Sequence, residues 1–313
     1  MTERPKLGER RALDWGELAV LVVAWGSSFA LTKVAVATIA PQWVAALRIA
    51  IGAALLLAIV LARGGRPAGA GWKRWAWCIW LGAIGNVAPF FLIAWGTQHI
   101  ASGLAGILMA AVPLVVITLA HFALPDEPMT GRRAAGFLVG FGGVVLLIGP
   151  DALGGLAGNG KAVMAELAIL GATVCYATMG VTARLAPAMD PIEKSAGVLI
   201  GAAVLAALLA FVTAPDGLSG LDLAGGMSVL VLGILPTAVA TVILFRLLAR
   251  AGAGFVSLSN YLIPAFAVVT GVLFLGERPA WLDLAGFALL VLGLALAEDV
   301  IGRWRAAGRG KGR

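Results

Sequence analysis

No aspartate or glutamate stands in the middle of any long apolar run of this chain: Glu17, Glu127, Glu166, Glu277, Glu298 and Asp299 all fall near the ends of such runs. Ionisable groups at mid-depth are the usual seats of proton relays, so a dedicated carboxylate relay is not expected. The two cysteines, Cys78 and Cys175, lie in separate apolar runs, which excludes a disulfide framework. The two histidines, His99 and His121, fall near opposite ends of their runs, which argues against a two-histidine metal site. Paired mid-depth carboxylates and HExxH-type clusters are missing too, so an intramembrane enzyme lacks its machinery. The stretch "GLAGNGKA", residues 155 to 162, has phosphate-loop spacing, but Ala162 replaces the magnesium-binding hydroxyl, and it reads as a linker. No cofactor is expected.

Charge of either sign is sparse, at 12% of residues against a hydrophobic share of 61%; soluble domains carry roughly 25% charged residues. Apolar runs recur over residues 17–35, 43–62, 75–97, 102–124, 134–150, 163–184, 192–213, 226–248, 254–275 and 281–301. Runs of about 20 such residues cross a hydrocarbon core as helices, because backbone amides in lipid must bond within their own segment. They also lack the period-two alternation of barrel strands. The first run follows the basic stretch "RPKLGERRA" and resembles a signal peptide, but a matching run at 166–180 makes it part of a repeated unit. If helix ends alternate sides, every lysine and arginine except Lys33, Arg48, Lys161 and Arg278 falls on one side, which predicts that both termini face the cytoplasm. The positive net charge is thereby explained by insertion, and the basic tail "GRWRAAGRGKGR" is not read as a nucleic-acid arm.

The two halves align at an offset of 150 or 151: Pro41 with Pro191, Gly82 with Gly233, Pro113 with Pro264, Glu127 with Glu277, and the "GF" pairs at 136 and 286. The chain is therefore expected to be all-α and integral to the membrane, with ten transmembrane helices in two five-helix repeats, residues 1–150 and 151–313. An odd number of helices per repeat inverts the second copy relative to the first and sets them around a central cavity. Arg132 and Arg133 in the first copy give way to Leu282 and Asp283 in the second, in keeping with opposite faces. Two similar halves of opposite orientation can exchange conformations, which closes one gate as it opens the other.

The stretches "AWGSSFALTKVA" and "AALRIAIGAALL", the helix-centre prolines Pro113 and Pro264, and the twin "DEP…GRRAAG" and "GERPAWLDLAG" turns resemble the EamA-type transporters of the drug/metabolite transporter superfamily over nearly the whole chain. The resemblance implies an exporter of small metabolites, and the abundance of alanine and glycine with short loops suggests a bacterial inner membrane. Its substrates range over amino acids, sugars, nucleotide precursors and drugs.

Polar or irregular residues near mid-span mark the cavity-forming helices, since lipid penalises them elsewhere. On that ground Trp25, Ser27, Phe29, Asn86, Phe90, Trp95, Tyr176, Thr178, Thr237, Thr241, Asn260 and Tyr261 are candidate substrate contacts, with Pro113 and Pro264 as gating points. Each has a plainer alternative: prolines as kinks, hydroxyls bonded to their own helix, Asn86 as glue between helices, aromatics as packing. Aromatic walls suit a flat, partly apolar solute and give the chain a likeness to YddG-type aromatic amino-acid exporters. Arg48, the basic residue deepest in a run, is a third gating candidate; it either snorkels outward or meets a substrate carboxylate. The expected partners are thus a small-molecule substrate and the lipid bilayer, not a nucleic acid. "GFLVG" and "GVLIG" have the small-xxx-small form but do not settle monomer against homodimer.

Overall fold

A computed structural model describes residues 12–69, 71–124, 127–148 and 160–298. The terminal basic stretches, most of the phosphate-loop decoy and the boundary between the expected repeats lie outside the described residues. Regular structure among the described residues is entirely helical. Among the described residues nine helices are long and apolar enough to cross a membrane: α1 Ala12–Ala35, α2 Pro41–Ala62, α3 Trp72–His99, α4 Ser102–Ala123, α5 Gly131–Ile148, α6 Gly160–Thr182, α7 Pro191–Thr213, α8 Leu223–Ala251 and α9 Gly254–Leu275. The tenth, α10 Trp281–Ala297, is apolar and 17 residues long.

Local chemistry sets the helix ends. Pro41 and Pro191 open α2 and α7 at equivalent places, where a missing N–H costs nothing. Asp190 caps α7 by accepting from the amides of Ile192 and Glu193 at 2.9 and 3.1 Å, and Asp222 caps α8 through Gly225 at 2.7 Å. Gly276, with φ of 65°, ends α9 in the left-handed conformation that glycine adopts without strain.

Helix packing follows the repeat. Partner helices α2 and α7, α4 and α9, and α5 and α10 pack on each other, as an axis in the membrane plane demands. The outer pairs are equally matched: α1 lies against α8 and α9, while its partner α6 lies against α3 and α4. Glycines set the α5–α10 contact. A methyl group at Gly136 would lie 2.5 Å from the Gly293 carbonyl, and one at Gly143 would lie 2.7 Å from the Gly286 carbonyl. Gly136 corresponds to Gly286 and Gly143 to Gly293, so the two-fold exchanges one contact for the other. The inner contacts obey the same rule. A methyl at Gly82 would meet the Val198 carbonyl of α7 at 2.6 Å, and one at Gly233 would meet the Arg48 carbonyl of α2 at 3.0 Å.

Both α3 and α8 break their α-helical pattern at mid-span with a π-helical segment, Ala83–Val87 and Gly233–Val239, which follow Gly82 and begin at Gly233 respectively. In α4 the interruption falls at residues 110–111, just before Pro113; in α9 it falls at 257–258, while Pro264 sits buried within continuous helix.

Candidate functional site

The π-helical segment of α8 holds Pro236, which has no N–H to donate, and Thr237, whose hydroxyl donates to the Leu232 carbonyl at 2.8 Å. Trp25 of α1 seals the same segment: its indole N–H donates to the Pro236 carbonyl at 3.0 Å. The corresponding segment of α3 carries Asn86, as far beyond Gly82 as Thr237 is beyond Gly233. The half-buried amide of Asn86 makes no hydrogen bond among the described residues. Segments of this kind redirect carbonyls and side chains at functional sites.

These segments meet α2 and α6 at Arg48. Its guanidinium contacts the Thr237 hydroxyl at 3.4 Å from Nε and 3.3 Å from Nη2, and lies 3.8 Å from the centroid of the Phe90 ring of α3. Tyr176 of α6 lies within electrostatic reach of the same group. A methyl at Gly52, one turn along α2, would meet Thr237 Cγ2 at 2.6 Å, so glycine makes room for the threonine. Burying a guanidinium without a counter-ion costs several kcal/mol, and a desolvated cation–π contact returns roughly 2 kcal/mol. The arrangement is costly to hold, as functional groups inside membranes are.

The structure thus gathers Arg48, Phe90 and Thr237, with Tyr176 within electrostatic reach, and Thr241 one turn further on bonded to the Thr237 carbonyl at 2.6 Å. Ser27 donates back to the Val23 carbonyl of its own helix at 2.6 Å. Phe29 is buried against Gly106 and the core between α1, α4 and α9. Trp95 stacks obliquely on His99 toward the far end of α3, and the Tyr261 hydroxyl points to Glu298 at 3.4 Å. Thr178 and Asn260 are half-buried, and their side chains make no hydrogen bond among the described residues. None of these last six joins the Arg48 group by a hydrogen bond or ring contact among the described residues.

A second polar group, missed in the sequence as a site, closes the opposite end of the bundle from the described N-terminus. Glu277, just past α9, accepts from the Ser102 and Gly103 amides at 2.6 and 2.9 Å and so caps α4. Lys33 donates to the Ile100 carbonyl at 2.9 Å, and Thr38 to Asp222 at 3.0 Å. Lys33, Thr38, Asp222 and Glu277 line a cavity of about 430 Å³ there. The hydrogen bonds to Gly225 and Thr38 hold the Asp222 carboxyl below its ordinary range. Its signal was the paired "LPDEP" and "LGERP" turns.

Comparison with known proteins gives one answer at several levels. The profile of the EamA-like transporter family matches twice, over residues 15–149 and 163–298. A probable terminal-alkyne amino-acid exporter of Streptantibioticus cattleyicolor is 30% identical over 300 residues, 93% of this chain and 95% of that protein. The aromatic amino acid exporter YddG of Ancylobacter novellus is 30% identical over 188 residues, 60% of this chain and 63% of the relative. A crystal structure at 24% identity superposes with a TM-score of 0.63, covering 92% of this chain and 98% of the other, and shares the fold. With the duplicated profile laid over helices that pack by a two-fold rule, this chain belongs to the EamA-like transporter family.

Proposed function

We propose that this transporter exports amino acids or closely related small metabolites, aromatic amino acids foremost, by alternating access between residues 1–150 and 151–313 acting as inverted repeats. One observation carries the reading. Repeat-related helices α3 and α8 both loosen into π-helical segments at mid-span, and beside them Arg48, Phe90 and Thr237 meet from three helices. Discontinuous helices paired across an inverted repeat are how membrane transporters place a solute site midway between two gates. The names of two relatives as amino-acid exporters support the solute class. Phe90 adds an aromatic face against the cation. The uneven lysine and arginine distribution supports an inner-membrane location with both termini in the cytoplasm.

Reconstituted vesicles test this directly, with labelled tryptophan, phenylalanine, threonine and uridine offered with and without an opposing gradient. Selective movement of the aromatic amino acids, lost in Asn86→Ala and Trp25→Ala proteins that still fold, is the expected result. Movement of uridine alone would remove the amino-acid assignment, and no movement of any solute would remove the export reading.

A further inference from the structure

Arg48 is 6% exposed and has no anionic partner among the described residues. Its one hydrogen-bonding partner there is Thr237, at distances of 3.4 and 3.3 Å that are long for an N–H···O bond. That hydroxyl has already committed its proton to Leu232. Nη1 makes no hydrogen bond at all among the described residues. A guanidinium presents five donors in a planar fork that matches a carboxylate. Most of that capacity is unspent.

Neither snorkelling nor packing accounts for a guanidinium at this place. Snorkelling would carry the group to the membrane surface, whereas it lies under Phe90 and against the mid-span segment of α8. Packing does not need it either: in the second repeat the equivalent position is Val198, 7% exposed, and its carbonyl meets Gly82 as the Arg48 carbonyl meets Gly233. Carboxylates that pair across elements are spent at the ends of the bundle, Asp14 and Glu17 on Arg250, Glu127 on Arg133 and Arg184, Glu193 on the Arg66 amide, Asp222 on Thr38, and Glu277 on the α4 amides. The charge breaks the two-fold at the centre of the molecule, where a solute would sit.

We propose that Arg48 is the anchor for a carboxylate of the transported solute, gripping it through the free edge of the guanidinium while Phe90 covers the other face. This assignment rests on the transporter reading and narrows its solute to a carboxylic acid or amino acid.

The test compares acids with their own amides on the purified full-length protein, by ligand-induced thermal shift and by uptake into vesicles. The probes are L-phenylalanine and L-phenylalaninamide, L-threonine and L-threoninamide, with uridine as a solute without a carboxylate. At least one acid should bind the unaltered protein about ten-fold or more tighter than its amide, the scale of a hydrogen-bonded ion pair. Arg48→Met should bring acid and amide within about two-fold of each other, and Arg48→Lys, which keeps the charge and loses the fork, should fall between. If Arg48→Met does not fold, Arg48→Lys decides: an acid preference as strong as in the unaltered protein overturns the anchor. Equal binding of acid and amide, binding of uridine alone, or binding of no probe overturns it as well. Uridine that is also carried across the membrane would leave the transporter reading standing without the anchor. Acids that bind through Arg48 yet never cross would do the reverse.

Discussion

Trp25 illustrates how the depth of a side chain can be read from a sequence while its hydrogen-bond partner is not. Its depth in α1 follows from the apolar run around it, but its indole N–H is spent on the Pro236 carbonyl, 211 residues away, which no local pattern reveals. Trp25→Phe keeps most of the ring and removes that donor, leaving the carbonyl of the π-helical segment short of one bond. It should lower stability in detergent by about 1 kcal/mol, and Trp25→Ala by roughly 3 to 5 kcal/mol; thermal unfolding followed by fluorescence at remaining tryptophans measures both. No loss in Trp25→Phe beside a full loss in Trp25→Ala would show that ring packing alone matters. Ser27 and Thr241 were legible in a plainer sense, because a hydroxyl in a membrane helix has its own carbonyls close at hand, and both take them. Arg48 was legible as a buried cation but not as the neighbour of Thr237, since the pairing spans 189 residues.

Helix identities were written in the hydropathy, and helix ends less so. Trp72, Lys73 and Arg74 belong to α3 although they interrupt the apolar run, because interfacial aromatic and basic residues continue a helix out of the hydrocarbon. The π-helical segments left little mark beyond Gly82, Gly233 and Pro236, since one extra residue in a turn changes hydrogen bonding and not composition. Loop chemistry was half legible: the repeated acidic turns were evident, their different partners were not. Glu277 closes on the start of α4, and removing the charge with Glu277→Gln should destabilise that junction by roughly 1.5 to 3 kcal/mol, read as faster amide exchange at Ser102 and Gly103. No change in exchange there would show that the cap contributes nothing. Glu127 instead holds Arg133 at 2.9 Å and Arg184 at 3.3 Å, and the Arg133 hydrogen bond, foremost, keeps its carboxyl below the usual 4.5. A depressed carboxyl contributes stability that is present above its unfolded value and lost as pH falls through the folded one. Unfolding measured downward from pH 5 should therefore show a loss that Glu127→Gln reduces, Asp222 supplying part of the remainder; identical acid limbs in the two proteins would contradict the linkage.

At the scale of the whole molecule, the two halves share a packing rule but not a chemistry, and the differences indicate how the chain sits in the membrane. Partner helices exchange their contacts through Gly82 and Gly233 and through the α5–α10 glycines, so the two-fold is built into the backbone approach itself. Charge departs from it: Arg132 and Arg133 begin α5, while Leu282 and Asp283 stand at the same place in α10. Lysine and arginine resist translocation far more than aspartate and glutamate favour it, so an odd repeat copied in tandem can hold opposite orientations only if the second copy sheds its basic residues from the exported turn. Fusions give the decisive reading. Alkaline phosphatase, active only after export, should be active when joined in the α5–α6 connection or between α9 and α10, and silent when joined between α4 and α5 or after α10; a fluorescent protein that matures only in the cytoplasm should show the opposite pattern. Restoring the first repeat's charge with the pair Leu282→Arg and Asp283→Arg should draw the α9–α10 turn toward the cytoplasm and reduce phosphatase activity there. Full phosphatase activity after α10 in the unaltered chain would break the assignment of both termini to one side, and with it the inversion on which an exchange of conformations between the halves depends.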